Sequence, residues 1–242
     1  LIEVKGLCKH FKKVKAVDDI AFTVKPGEIV GLLGENGAGK TTTLRMLATM
    51  LKPTAGTANI NGYDLITESS KVRSQIGILF GGEIGLYDRL TARENIKYFA
   101  DLNGMDDKTS DENIKRLAKL LDMEEYMDRR VGKFSRGMKQ KVAIARSIVH
   151  NPSVMLFDEP TAGLDVTSSK IVQDFILSCK GENKSIIFSS HSMQEVEKLC
   201  HRIVIIHKGK VVEDSGIQEL KDKHGEDLEE VFMRLVGDRN EK

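Results

Sequence analysis

Gly34-Glu35-Asn36-Gly37-Ala38-Gly39-Lys40-Thr41-Thr42 stands between an apolar run, Glu28-Ile29-Val30-Gly31-Leu32-Leu33, and a helical pattern, Thr43-Leu44-Arg45-Met46-Leu47-Ala48. The three pieces read as strand, glycine-rich loop and helix. The loop keeps the spacing G-x-x-x-x-G-K-T, and the flanking strand and helix are the context that a phosphate-binding loop requires. Gly34, Gly37 and Gly39 let the backbone wrap phosphate oxygens. N–H groups along the loop, those of Asn36, Ala38 and Thr42 among them, then point inward. The following helix adds its positive N-terminal end. Lys40 is placed to reach the β- and γ-phosphates, and the Thr41 hydroxyl to ligate Mg²⁺.

A chain of 242 residues can bury a large core as one big domain or two small ones. Net charge is +1, so no global field points to nucleic acid or to an anionic membrane. Short basic clusters such as Lys9-His10-Phe11-Lys12-Lys13 read as a solvated face. The cysteines Cys8, Cys179 and Cys200 lie far apart without CxxC spacing, which argues against a disulfide scaffold and against a zinc site. A reducing compartment fits that usage. No apolar run approaches the length needed to span a bilayer. The start, Leu1-Ile2-Glu3-Val4, alternates like a strand, has no signal-peptide layout and begins without Met, as a trimmed start does. Any membrane role therefore falls to a partner.

Residues 1–33 read as strands, with separate apolar pieces at Ala16-Val17 and Ile20–Val24. Phe11, isolated among lysines, is either a chance surface aromatic or a plate on which a base stacks. Turn signals at Pro53, Gly56 and Asn61-Gly62 bracket a short strand at Thr57–Ile60, and Ile76–Phe80 is a buried-strand candidate. From Thr91 to His150 the pattern is helical. Thr91 with Glu94 makes a capping box, and Ser135 starts a helix with Met138, Val142, Ala145 and Ile148 on one face. Residues 82–150 thus read as a mainly helical insertion in an α/β core. The core resumes at Ser153–Phe157 and continues through a helix, the strand Ser185–Phe188, the helix Met193–Leu199 and the strand Ile203–Ile206. Leu228, Val231, Phe232 and Leu235 mark an amphipathic helix in the tail.

A phosphate loop alone does not hydrolyse a nucleotide. It needs a carboxylate near Mg²⁺ and a group that activates water. Asp158 ends a wholly apolar strand, and strand C-termini are where ligands gather in open parallel sheets. Asp158 is therefore expected beside the loop, holding Mg²⁺ together with Thr41. Glu159, next in the chain, suits a general base. His191 follows another apolar strand, so a γ-phosphate contact is favoured over a purely structural histidine. The other five histidines show no such placement.

Gly34–Thr41, Phe134-Ser135-Arg136-Gly137-Met138, Leu156-Phe157-Asp158-Glu159-Pro160, Gly163-Leu164-Asp165 and His191 stand in the order found in ABC transporter ATPase subunits. The chain resembles that family over essentially its whole length. Phe80-Gly81-Gly82-Glu83, Gly85–Thr91, the run from Phe134 to Arg146 and the ending Asp227–Phe232 resemble more narrowly the NatA-type sodium-extrusion branch, which also holds drug-export subunits. The resemblance implies a P-loop α/β fold with a mostly parallel sheet and an N-terminal antiparallel β subdomain. It implies one ABC ATPase domain over 1–242: a core at 1–81 and 151–220, a helical signature subdomain at 82–150 and a C-terminal amphipathic helix at 221–242. It further implies that Phe11 stacks on adenine and that Ser135 and Gly137 contact the γ-phosphate of an ATP held by a second copy of the chain. Asp165 is placed at the seam between copies, and the stroke passes near Gly82–Arg89 to a transmembrane permease subunit at the cytoplasmic face of the membrane. Nucleic acid is not among the implied partners.

Two positions depart from the family pattern. Gly82, with Glu83 beside it, stands where the family commonly has a glutamine that contacts Mg²⁺. Arg136 and Met138 replace a glycine and a glutamine of the signature. Other readings fare worse. A GTPase wants Asn-Lys-x-Asp, and Asn183-Lys184 runs instead into Ser185-Ile186. A small-molecule kinase lacks the signature. ABC ATPases without a membrane partner usually carry two cassettes or a long coiled-coil insert.

Overall fold

The computed structural model describes residues 1–80, 85–224 and 227–237. The chain opens with a hairpin, β1 (Ile2–Phe11) and β2 (Val14–Val24), followed by β3 (Ile29–Leu33), α1 (Lys40–Leu47), β4 (Ala55–Ile60), β5 (Tyr63–Asp64), α2 (Ser69–Gln75) and β6 (Ile76–Leu79). Three helices come next: α3 (Ala92–Leu102), α4 (Asp107–Leu120) and α5 (Arg136–Ile148). Strands and helices then alternate through β7 (Val154–Asp158), α6 (Val166–Lys180), β8 (Ser185–Ser189), α7 (Met193–Leu199) and β9 (Arg202–His207). The last described elements are β10 (Lys210–Gly216), α8 (Ile217–His224) and α9 (Leu228–Gly237).

The strands form two sheets. One is antiparallel, in the order β2-β1-β4-β5. The other, in the order β10-β9-β3-β8-β7-β6, is parallel except for β10. Every residue of β3, β7 and β8 is buried, as strands covered on both faces must be. The two-residue period then deals side chains to two cores. Val30, Leu32, Leu156, Ile187 and Val204 pack with α1 and the antiparallel sheet. Ile29, Leu33, Phe157, Phe188 and Ile203 pack under the helices on the other face. Phe157 and Phe188 are among the largest fully buried side chains; truncating either to alanine is expected to cost about 3–5 kcal/mol.

The helical pattern between Thr91 and His150 is realised as α3, α4 and α5. The capping box is present: Glu94 N donates to Thr91 Oγ1 at 3.1 Å, and Thr91 N to Glu94 Oε2 at 2.7 Å. Three local differences have physical causes. The apolar pieces at Ala16-Val17 and Ile20–Val24 join into one strand, β2, with Asp19 at a φ of 60° and an irregular register against β1. Helix α2 buries only Val72, so its sequence carries little periodic signal. The tail holds two helices rather than one, with α8 tucking Ile217 and Leu220 into the core. Among the described residues no helix is long and apolar enough to cross a membrane.

The parallel register decides where function can sit. Leu32 lies opposite Ser189, Asp158 opposite Ser189, and Leu33 opposite Ile205. The C-terminal ends of β3, β7, β8 and β9 therefore share one edge, onto which the glycine-rich loop opens.

Candidate nucleotide site

The loop is shaped by close approaches that exclude side chains. A Cβ on Gly34 would collide with the Ile206 carbonyl oxygen. Gly39 has a φ of 113°, and a Cβ there would lie 2.5 Å from the Ala16 carbonyl oxygen. Gly209 N donates to Ala38 O at 2.9 Å, and Asp18 N to Gly209 O at 2.8 Å, so β2 and the β9–β10 turn brace the loop from behind. Helix α1 begins at Lys40 with no side-chain cap. Its first N–H groups are thus left for an anion. Lys40 is only 6% exposed. Its Nζ donates to the carbonyls of Gly34 (2.6 Å) and Glu35 (3.1 Å). Burial pulls its pKa below the usual lysine value, with Glu159 and Asp158 opposing that shift.

Asp158 is the last residue of β7 and is buried. Thr41 Oγ1 donates to its Oδ2 at 2.7 Å, and Ser189 Oγ donates to its Oδ1 at 2.6 Å. The carboxylate is fixed at both oxygens. Thr41 and Asp158, joined directly, are hard oxygen donors, a set that fits Mg²⁺. Glu159 turns the chain out of the strand with a φ of 50°, an uncommon conformation for a residue with a side chain. Its N–H is shared between the carbonyl and the hydroxyl of Ser189, each at 3.1 Å. Its carboxylate pairs with His191 Nε2. Glu159 also lines two adjoining hollows. One, of about 120 Å³, is walled by Glu35, Asn36, Gly37, Gly39, Lys40, Thr41 and Thr42. The other, of about 300 Å³, is walled by Thr161, Gln173, His191 and their neighbours.

The remaining sequence-derived residues lie elsewhere. Phe11, 44% exposed at the end of β1, has Lys9 Nζ 5.2 Å from its ring centre. Ser135 caps α5, accepting from Met138 N at 3.2 Å. Ser135 and Arg136 are exposed, whereas Gly137 is buried where a Cβ would strike the Ser168 hydroxyl. Asp165 caps α6, accepting from Ser168 N (2.9 Å) and Ser168 Oγ (2.8 Å), and these bonds hold its carboxyl below the ordinary aspartate range. The Arg136 guanidinium lies 2.7 Å from where a Gly163 Cβ would sit. None of Phe11, Ser135, Gly137 and Asp165 lines the hollow over the loop. Gly82 and Glu83 lie outside the described residues.

The geometry thus joins the loop, a buried aspartate and a glutamate–histidine pair at one sheet edge. The family model described as ABC transporter matches residues 17–162. The chain belongs to the ABC transporter family. It is 50% identical over 223 residues, 92% of the chain and 91% of the relative, to the ABC transporter ATP-binding protein NatA of Bacillus subtilis (strain 168). It is 38% identical to the bacitracin transport ATP-binding protein BcrA of Bacillus licheniformis over 95% of the chain and 74% of the relative. A solved structure described as the dimeric structure of MJ0796, a bacterial ABC transporter cassette, superposes with a TM-score of 0.80 at 25% identity, covering 89% of this chain and 98% of that one. Membership makes the chain an ATPase.

Three polar residues of this ABC ATPase site escaped the sequence reading. Ser189 fixes Asp158, and only the strand register reveals it. Gln140, buried on α5, donates from Nε2 to Pro160 O at 2.6 Å, tying the signature helix to the residue after Glu159. His207 ends β9 at the same edge as His191, with its Nδ1 3.5 Å from Glu35. The expectation that no other histidine has such a placement is therefore corrected. Its signal was an apolar strand running one residue further than the four-residue run Ile203–Ile206.

Proposed function

We propose that this ATPase is the motor subunit of an exporter, peripheral at the cytoplasmic face of the membrane and coupled to a separate transmembrane permease. The observation that carries the reading is the Thr41–Asp158–Ser189 hydrogen-bond chain lying between Lys40 and the Glu159–His191 pair. Lys40 swings its ammonium from its own loop carbonyls to the β- and γ-phosphates. The start of α1 and the N–H groups from Gly34 to Thr42 hold the remaining phosphate oxygens. Thr41 and Asp158 are the residues that would hold Mg²⁺, which when bound neutralises phosphate charge. Glu159 accepts a proton from water as the water oxygen bonds to the γ-phosphorus and the bond to the ADP oxygen breaks. His191 orients Glu159 and meets the γ-phosphate side. Phe11 stacks on adenine.

Ser135 and the N-terminal end of α5 are exposed and absent from the loop hollow, which supports their supply by a second copy. Two chains then close head-to-tail over two ATP molecules, with Asp165 at the seam, and hydrolysis releases them. The single-domain layout with a helical insertion at 82–150 is that of one such cassette.

For cargo we propose Na⁺, because the motif runs and the 50% identity to NatA point to the same branch. The similarity to a bacitracin transport protein favours a peptide-antibiotic exporter as the second reading. Reconstitution with a multi-span permease that co-purifies with this chain tests both. ATP-dependent movement of labelled sodium, lost in Glu159→Gln, is the expected result. Sodium-independent ATPase activity that bacitracin stimulates would replace Na⁺ with the peptide.

A further inference from the structure

A second cluster of chemically reactive groups lies on the β1–β2 hairpin, behind the phosphate loop and separate from its carboxylates. Cys8 and His10 alternate along β1 and therefore share a face. Register shifts between Leu7 and His10 bring Asp18 of β2 to them. The Cys8 sulfur, a His10 ring nitrogen and an Asp18 carboxylate oxygen all lie within 4.8 Å of one another. His10 Nε2 is 4.0 Å from Asp18 Oδ1, and it is buried with no hydrogen-bond partner among the described residues. The Asp19 backbone N–H donates to Cys8 Sγ at 3.2 Å, which holds the sulfur in place on this face.

We infer that Cys8, His10 and Asp18 form a binding site for a divalent transition-metal ion of the zinc type, with solvent completing the coordination. Thiolate, imidazole and carboxylate together are the donor set of Zn²⁺, whereas Mg²⁺ does not take sulfur. Ligand atoms in a tetrahedral zinc site stand about 3.5 Å apart. The cluster therefore tightens by about 1 Å as it closes, and its half-buried side chains have room to do so. Binding sends the Cys8 thiol proton to solvent and leaves a sulfur–metal bond. Lys15 and Lys210, 3.7 and 3.5 Å from Asp18 oxygens, are exposed lysines on flexible stems and swing aside. The spacing of the cysteines gave no hint of this site, because two of its three ligands are not cysteines and the third residue arrives across a bulge. The ion would staple β1 to β2. Since β2 backs Gly39 and its neighbours through Ala16 and Asp18, the staple stiffens the wall behind the phosphate loop.

The test is titration of the reduced, nucleotide-free full chain with Co²⁺, followed by thiolate-to-metal charge-transfer absorption and by competition with Zn²⁺. One Co²⁺ per chain, displaced by one equivalent of Zn²⁺, is expected. Cys8→Ser should abolish the band. His10→Gln and Asp18→Asn, which keep all three thiols, should each weaken binding at least tenfold. Asp158→Asn should leave the band intact, since the loop carboxylates offer no sulfur, as should replacement of the buried Cys179 and Cys200 by alanine. Melting curves without metal verify that each variant folds. No charge-transfer band at millimolar Co²⁺ would overturn the proposal. So would a band that persists at full affinity in both His10→Gln and Asp18→Asn.

Discussion

At the phosphate loop nearly every polar group is tied to another part of the chain: Lys40 to two carbonyls, Thr41 and Ser189 to the two oxygens of Asp158, and Glu159 to His191. At the start of α5 the situation is reversed. Ser135 and Arg136 are exposed, and Ser135 is engaged with the N–H of its own helix at Met138. The first region is preorganised by three strands in register. The second is preorganised only as a helix end, with its donors turned to whatever arrives. The contrast separates two tasks. In the proposed mechanism, gripping a nucleotide falls to one chain and enclosing it to a second surface.

The comparison can be broken most sharply at Glu159. Replacing it with glutamine removes the proton acceptor and keeps the shape, so turnover should fall by about 10²–10⁴-fold while nucleotide binding persists. Phosphate release close to the normal rate would show that the loop's chemistry does not pass through this carboxylate. Next in size is Ser135→Asp in that inactive background. Aspartate caps a helix as well as serine does, so the melting temperature should hold. A carboxylate facing the γ-phosphate, however, costs several kcal/mol, so ATP-driven dimerisation read by light scattering should disappear. Undiminished dimers would move the second wall elsewhere. Lys40→Ala removes charge-assisted hydrogen bonds worth about 1.5–3 kcal/mol. Titration should therefore show ATP affinity lowered roughly 10- to 150-fold. Unchanged affinity would mean that the backbone N–H groups alone hold the phosphates.

Legibility in the sequence follows the same divide. Gly34 to Thr42 could be read because the motif is local and its flanks declare a strand and a helix. Asp158 and Glu159 could be read because four apolar residues, Val154 to Phe157, before an acid mark the end of a buried strand. Ser189 and Gln140 could not, since a serine after an apolar run and a glutamine on a helix acquire meaning only through register and packing. The same holds for Asp18, brought to Cys8 and His10 by irregular pairing that no residue spacing encodes. Ser135 was legible as a helix cap, whereas its place away from its own chain's loop came only from the family resemblance. Helices α2 and α8 are short and bury few side chains, so tertiary contacts define them more than periodicity does.

The buried bond from Gln140 to the Pro160 carbonyl has a consequence in the language of machines. It is an interlock. Helix α5, the proposed second wall, is pinned at Gln140 to the residue beside Glu159. In the proposed two-chain arrangement, a rotation of α5 would drag the turn at Glu159 with it, making hydrolysis conditional on seating. Gln140→Met, of similar length but without the amide, should disconnect the two. Dimers would still form with ATP, while hydrolysis per dimer would drop several-fold; an unaltered rate per dimer would show that the clutch lies elsewhere.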